Sequence, residues 1–215
     1  MEKLQGILFD KDGTVLSFNE VWGGWCETVV KRLAPENPAL QQQLAHVAGY
    51  DLEKQAFESG SAIVSASADE TAALWADLID LTADQIEQVG LEALDSLPLT
   101  PVTDLDKVFT ELKSYGLKLG IATNDYESVA HEHLRGLSVD HYFDFVCGFD
   151  SGFGSKPAPG MITAFCDHTS CDVTRVAMVG DSTHDLHAGS AAGAGFLVGV
   201  LTGPAIAADL SLIHI

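Results

Sequence analysis

The sequence predicts an α/β fold: a doubly wound parallel sheet, interrupted after its first strand by an inserted α-helical unit. Three observations carry that expectation. Short apolar runs recur that do not alternate with polar residues, the texture of strands buried on both faces of a parallel sheet. From about residue 100 these runs alternate with amphipathic helical stretches, as βα units do. Residues 17–97 change texture to a region rich in Ala, Gln, Glu and Leu with no clear strand.

The first strand reads "LQGILFD" and ends in two carboxylates, Asp10 and Asp12, followed by Gly13 and Thr14. The insertion then supplies helix-favouring stretches such as "LQQQLAHVAG" and "ADETAALWADLIDL". From Thr103 to Tyr115, Leu105, Val108, Phe109 and Leu112 fall at i, i+3, i+4 and i+7; a Thr-Asp cap signal precedes them and Gly116 stops them. That segment is an amphipathic helix covering a sheet face. A strand "LKLGIATN" starts at Leu117, and a helix is expected from Tyr126 to Arg135. The strand "FDFVCGF" from Phe143, a helix from Pro159 to His168, the strand "VAMVGD" from Val176, a helix from Asp185 to Ala192 and the strand "GFLVGVL" from Gly195 complete the alternation. No internal repeat or low-complexity tract interrupts it.

Composition narrows the function. The 215 residues are 47% apolar, enough for a sizeable core. Acidic residues outnumber basic ones 31 to 11, a formal charge of -20, which disfavours nucleic acid and anionic membrane partners. "MEKLQG" carries no basic stretch, and the longest weakly polar run, "AAGAGFLVGVLTG", falls short of the ~20 residues of a membrane span, so a cytoplasmic protein is expected. Cys26, Cys147, Cys166 and Cys171 form no C-x-x-C pair and read as reduced, buried thiols. His131 with His133 and His184 with His187 lack the companions of a zinc site.

Charge at the rim of a core is costly unless compensated, so the two aspartates raise the question of what compensates them. Residues two apart in a strand point the same way, and ligands of open α/β sheets sit at the carboxyl ends of strands. Three later strand ends and loops bring candidates to the same rim: Thr123 and Asn124 after "LGIA", Lys156 in "SKPAPG", and Asp181 with Asp185 in "GDSTHD". Taken singly, each also reads as a helix cap or a loop lysine. Their order after D-x-D-G-T makes them a set.

With "DKDGT" (10–14), "ATN" (122–124), Lys156 and "GDSTHD" (180–185), the chain resembles the haloacid dehalogenase superfamily over nearly its whole length. The resemblance implies a five-stranded, Rossmann-like parallel core of residues 1–16 and 98–215 with a helical cap of residues 17–97 over the site. It implies that Asp10 is the nucleophile, forming an aspartyl-phosphate, and that Asp12 is the acid and base. Mg²⁺ would be held by Asp10, a backbone carbonyl at Asp12 and Asp181, with Asp185 in or just behind that shell. Lys156 would neutralise Asp10 and the transferring oxygens, and Thr123, with Gly13, Thr14 and Asn124, would bind the phosphate.

Asp12 favours phosphate esters, because dehalogenating and phosphonate-cleaving relatives lack an aspartate there. The expectation is a Mg²⁺-dependent phosphatase of small phosphate monoesters, phosphoglycolate or sugar phosphates among them, acting as a monomer or homodimer. A sugar phosphomutase of the same superfamily and a non-enzymatic phospho-Asp receiver module are the alternatives. In the insertion, "HVAGYDLEKQAFESGS" looks like a specificity loop, with Gly49, Tyr50 and Ser61 facing the substrate or Tyr50 and Phe57 packing the cap. The family generally continues beyond the closing "AADLSLIHI".

Overall fold

A computed structural model describes residues 3–58, 61, 63, 68–94 and 99–211. The expected boundary at 97/98 and the final "LIHI" lie outside these. The chain divides into two compact units, Met1–Ser17 with Pro101–Ile215 and Phe18–Thr100.

The first unit is built on five parallel strands: β1 (Gly6–Phe9), β4 (Lys118–Ala122), β5 (Phe145–Cys147), β6 (Val176–Gly180) and β7 (Phe196–Gly199), in the order β5-β4-β1-β6-β7. This is a doubly wound order, with the chain leaving the central strand once in each direction. The pleat of β1 sorts its side chains between two cores. Ile7 and Phe9 join Leu119, Ile121 and Ala177 beneath helix α5 (Leu105–Ser114) and α6 (Glu127–Gly136), through Leu105, Phe109 and Leu134. Leu8 joins Met178 and Cys147 on the other face beneath α7 (Gly160–Thr169) and α8 (Thr183–Ala192), through Met161, Ile162, Phe165 and Ala188. Gly120 of β4 is where Phe165 approaches closest; a Cβ there would lie 2.8 Å from its ring.

The α5 stripe is narrower than its spacing suggests. Leu105 and Phe109 are buried, whereas Val108 is 37% exposed. Asp104 caps the helix by accepting the Lys107 N–H, and Gly116, at φ +77°, turns the chain out of it. The final helix of the described chain, α9, is a single turn (Ala207–Leu210).

The second unit is helical: a π-helical turn (Asn19–Gly23) leading into α1 (Gly24–Leu33), then α2 (Pro38–Val47), α3 (Ala68–Ala76) and α4 (Ala83–Leu94). Asn37 caps α2, with Pro38 at its first position. The core gathers Trp25, Val29, Val30, Leu44, Trp75 and Ile86, with both buried indoles satisfied: Trp25 donates to the Gly90 carbonyl and Trp75 to that of Leu44. The expectation of no strand here needs correction. Tyr50–Asp51 (β2) and Ala56–Phe57 (β3) form a two-stranded antiparallel hairpin, too short for its sequence to show a period. No helix among the described residues is long and apolar enough to cross a membrane.

Candidate active site

Strand order explains how residues far apart in sequence meet. β4, β1 and β6 are neighbours, so their carboxyl ends lie side by side at a spacing of ~4.8 Å per strand. Two rim residues are then pinned to the next strand. Asp10 N–H donates to the Val179 carbonyl (2.8 Å), and Thr123 N–H to that of Cys147 (3.1 Å). Beyond β6, the turn into α8 closes a capping box, in which Ser182 accepts the Asp185 N–H and the Asp185 carboxylate accepts the Ser182 N–H.

Asp10, Asp181 and Asp185 are all buried and offer carboxylate oxygens within 4.8 Å of one another. Lys156 joins them: its Nζ lies 2.6 Å from Asp10 Oδ1 and 2.6 Å from Asp185 Oδ1. Burial raises the Asp10 carboxyl to about 7, against the pull of Lys156 and with the help of Asp185 and Asp12. Burial raises Asp181 further, to about 9, with Asp10 and Asp185 adding to it. Burial alone would lower Lys156; Asp10 and Asp185 outweigh it and raise the ammonium above the ordinary lysine range.

The donor set suits a hard divalent cation. Both Asp185 oxygens are engaged, one by Lys156 and the other by the Ser182 N–H and hydroxyl. Asp181 Oδ2, by contrast, is buried and has no hydrogen-bond partner among the described residues, as has the Thr14 hydroxyl. A buried, unpartnered carboxylate oxygen in such a cluster is what an oxygen-seeking ion would satisfy. Gly13, at φ +82°, and Gly203 both back onto the Asp181 carboxylate so closely that any Cβ would collide with it. The Thr202 hydroxyl donates to the Gly13 carbonyl and fixes the turn.

The other expected residues divide. The Thr123 hydroxyl is buried at the rim and accepts the Asp125 N–H (3.1 Å), keeping its own proton to donate. Asn124, expected against a phosphate, lies beside the loop that carries Lys156. Its amide grips the Lys156 backbone, accepting the N–H at 2.8 Å and donating to the carbonyl at 3.0 Å, and so orders the loop that carries the ammonium. In the helical unit, Tyr50 is 3% exposed, its hydroxyl donates to Glu27, and it packs against Phe57. Ser61 is buried and donates to the Ala48 carbonyl, backing onto Gly49 at φ +74°. Both hydroxyls thus have the internal acceptors that buried hydroxyls need.

Sequence reasoning passed over Lys11, Asp125 and His133, which form a second buried polar cluster behind Asp12. The signal was present: a lysine within an apolar strand end cannot be buried without a carboxylate to meet it.

The profile of the family described as haloacid dehalogenase-like hydrolase matches residues 7–198. The chain belongs to this family. It is 36% identical over 93 residues to a phosphoglycolate phosphatase of Neisseria meningitidis, an alignment covering 43% of this chain and 40% of that one. It is 27% identical over 195 residues to the pyrophosphatase PpaX of Bacillus velezensis, covering 89% of this chain and 81% of that one. A solved Bacteroides fragilis protein, described as a haloacid dehalogenase-like hydrolase, superposes with a TM-score of 0.73 at 22% identity over 98% of this chain and 93% of its own. At that identity the likeness speaks for the fold.

Proposed function

We propose that the protein is a Mg²⁺-dependent phosphatase of small phosphate monoesters, with Asp10 as nucleophile and Asp12 as acid and base. One observation carries the reading: a buried lysine ammonium bonded to two members of a three-carboxylate cluster, at the joint rim of adjacent parallel strands. The names of the Neisseria and Bacillus relatives support the same chemistry.

An Asp10 carboxylate oxygen attacks phosphorus as the bond from phosphorus to the alcohol oxygen breaks, and Asp12 gives that oxygen its proton. Asp12, now ionised, takes a proton from water as the water oxygen attacks the aspartyl-phosphate. The bond between phosphorus and Asp10 breaks, phosphate leaves and the carboxylate is restored. Lys156 lowers the charge that the anionic ester meets at Asp10, and the Thr123 and Thr14 hydroxyls would donate to phosphate oxygens, a role supported by the free proton of the one and the unpartnered oxygen of the other. Mg²⁺ held by Asp10 and Asp181, with Asp185 behind them, would supply the remaining positive charge. The expected boundaries, 1–16 with 98–215 for a catalytic core and 17–97 for a substrate-selecting cap, belong to this reading, as do a monomeric or homodimeric state and a cytoplasmic setting, which four unpaired thiols favour.

A panel of phosphoglycolate, sugar phosphates and pyrophosphate, assayed for phosphate release with Mg²⁺ and with EDTA, tests the proposal. Release is expected with the metal only, and Asp10→Asn is expected to abolish it. Activity surviving that substitution removes Asp10 as nucleophile; isomerisation of a sugar phosphate on addition of its bisphosphate shifts the reading to a mutase.

A further inference from the structure

Between the two aspartates stands a lysine, and its side chain is fully buried. Lys11 does not join the Asp10 cluster. Its Nζ lies 2.8 Å from Asp12 Oδ2 and 3.0 Å from Asp12 Oδ1, 3.0 Å from Asp125 Oδ2 and 3.1 Å from His133 Nδ1. An ammonium can only donate, so His133 Nδ1 accepts, and the imidazole is neutral with its proton on Nε2. Three segments meet at one nitrogen: the end of β1, the end of β4 and the middle of α6.

We propose that Lys11 is the positioning residue of Asp12, a buried ammonium anchored by Asp125 and His133 that takes both carboxylate oxygens of Asp12 and so fixes its orientation. The inference rests on the reading of Asp12 as acid and base. Burying an ammonium forfeits its hydration, and an apolar residue of similar volume would serve packing as well. What an apolar residue cannot do is hold a carboxylate at two oxygens. The anchor is itself held, since Asp125 Oδ1 accepts the Tyr126 N–H at 2.8 Å and the Asp125 N–H donates to Thr123. Asp12 keeps 12% of its side chain open, whereas Lys11 has none and Asp125 8%, so within this cluster the carboxylate that faces outward is the one clamped. The two contacts are those of ionised Asp12, the form that takes the proton; when Asp12 is protonated the oxygen without the proton keeps its bond to Lys11, so the group stays within a few tenths of an ångström of its productive geometry, as a side chain left to rotate does not.

The experiment compares kcat/KM for an alkyl phosphate, whose alcohol needs a proton to leave, with p-nitrophenyl phosphate, whose phenolate does not. That parameter covers only the steps up to departure of the alcohol, so hydrolysis of the aspartyl-phosphate does not enter it. Lys11→Met is expected to lower kcat/KM on the alkyl ester by about 10²-fold, the scale of a general-acid contribution, and on the aryl ester by less than about three-fold. Asp12→Asn, on the same two esters, sets the size of the selective loss. Because Lys11→Met leaves Asp12 and the buried Asp125 facing each other without a cation, a double variant, Lys11→Met with Asp125→Asn, keeps the cluster's formal charge while removing the clamp; the same selective loss is expected of it. Equal loss on both esters, or an unchanged ratio, overturns the proposal. Metal-dependent turnover by the parent enzyme and its loss in Asp10→Asn are read in the same assay, so failure of the phosphatase reading is distinguishable from failure of this one.

Discussion

Replacing Lys156 with methionine removes the only cation bonded to the Asp10, Asp181 and Asp185 cluster among the described residues, at nearly constant volume. Lys156 is 5% exposed and its two carboxylate contacts are both 2.6 Å, so little water stands in for it. Breaking a buried pair by removing one partner costs roughly 3–5 kcal/mol, but the stranded carboxylate can take up a proton instead. Each pH unit between its ordinary value near 4 and the buffer costs about 1.4 kcal/mol, so neutralising one carboxyl costs about 5 kcal/mol at pH 8 and about 1 at pH 5. The metal-free variant should therefore fall short of the parent by roughly 3–5 kcal/mol at pH 8 and by about 1 at pH 5. Calorimetry or far-UV circular dichroism is the assay, because Trp22, Trp25 and Trp75 all lie in the helical unit and their fluorescence reports that unit. A deficit equal at the two pH values would refute the claim that Lys156 acts as the compensating charge.

Asn124→Ala removes both hydrogen bonds to the Lys156 backbone; about a ten-fold fall in kcat, with less than about 2 kcal/mol of stability lost, is expected from steady-state kinetics and melting curves. Gly13→Ala forces a Cβ into the Asp181 carboxylate at a φ of +82°, so the variant should lose metal-dependent stabilisation even where it folds, as titration with Mg²⁺ would report. In the metal-free protein Asp10 and Asp181 hold protons to about 7 and about 9, above their unfolded values, so the folded state binds the extra protons and its stability should fall as pH rises from about 4 to about 9. Mg²⁺ should offset that fall more at pH 8 than at pH 6, by about 2.7 kcal/mol at a hundred times its dissociation constant; equal stabilisation at both would count against carboxylate ligation.

The fold was legible because a parallel sheet writes itself as apolar runs, and these led to β1, β4, β5, β6 and β7. The β2–β3 hairpin was not, since two residues per strand carry no period. At the site, residue types and their order brought Asp10, Lys156, Asp181 and Asp185 into one group; in the structure Lys156 bonds Asp10 and Asp185, and the three carboxylates offer oxygens within 4.8 Å of one another. Orientation was the hidden part. Nothing in "ATN" distinguishes an amide turned toward a ligand from one that grips a neighbouring loop, because that depends on where the loop bearing Lys156 passes. Tyr50 and Ser61 were ambiguous for the same reason: a hydroxyl near a glycine turn serves a substrate or a carbonyl equally well until its neighbours are known.

Charge accounts for the division of labour between the two lysines. Asp10, Asp181 and Asp185 against Lys156 leave a formal excess of two negative charges when all are ionised, whereas Asp12 and Asp125 against Lys11, with a neutral His133, leave one. Burial first, and then the neighbouring carboxylates, raise two members of the first cluster, Asp10 and Asp181, so that in the metal-free state it meets its excess by holding protons. Two protons are also what a divalent ion would displace, leaving the cluster neutral when the phosphate arrives. The second cluster is perturbed less: burial lifts the Asp125 carboxyl to about 6 against the pull of Lys11, and the single excess charge is shared with Asp12, the member most open to solvent. A strand end that alternates acid, base, acid thus turns its two carboxylates to different lysines, Asp10 to Lys156 and Asp12 to Lys11, while leaving them close enough for Asp12 to raise the Asp10 carboxyl.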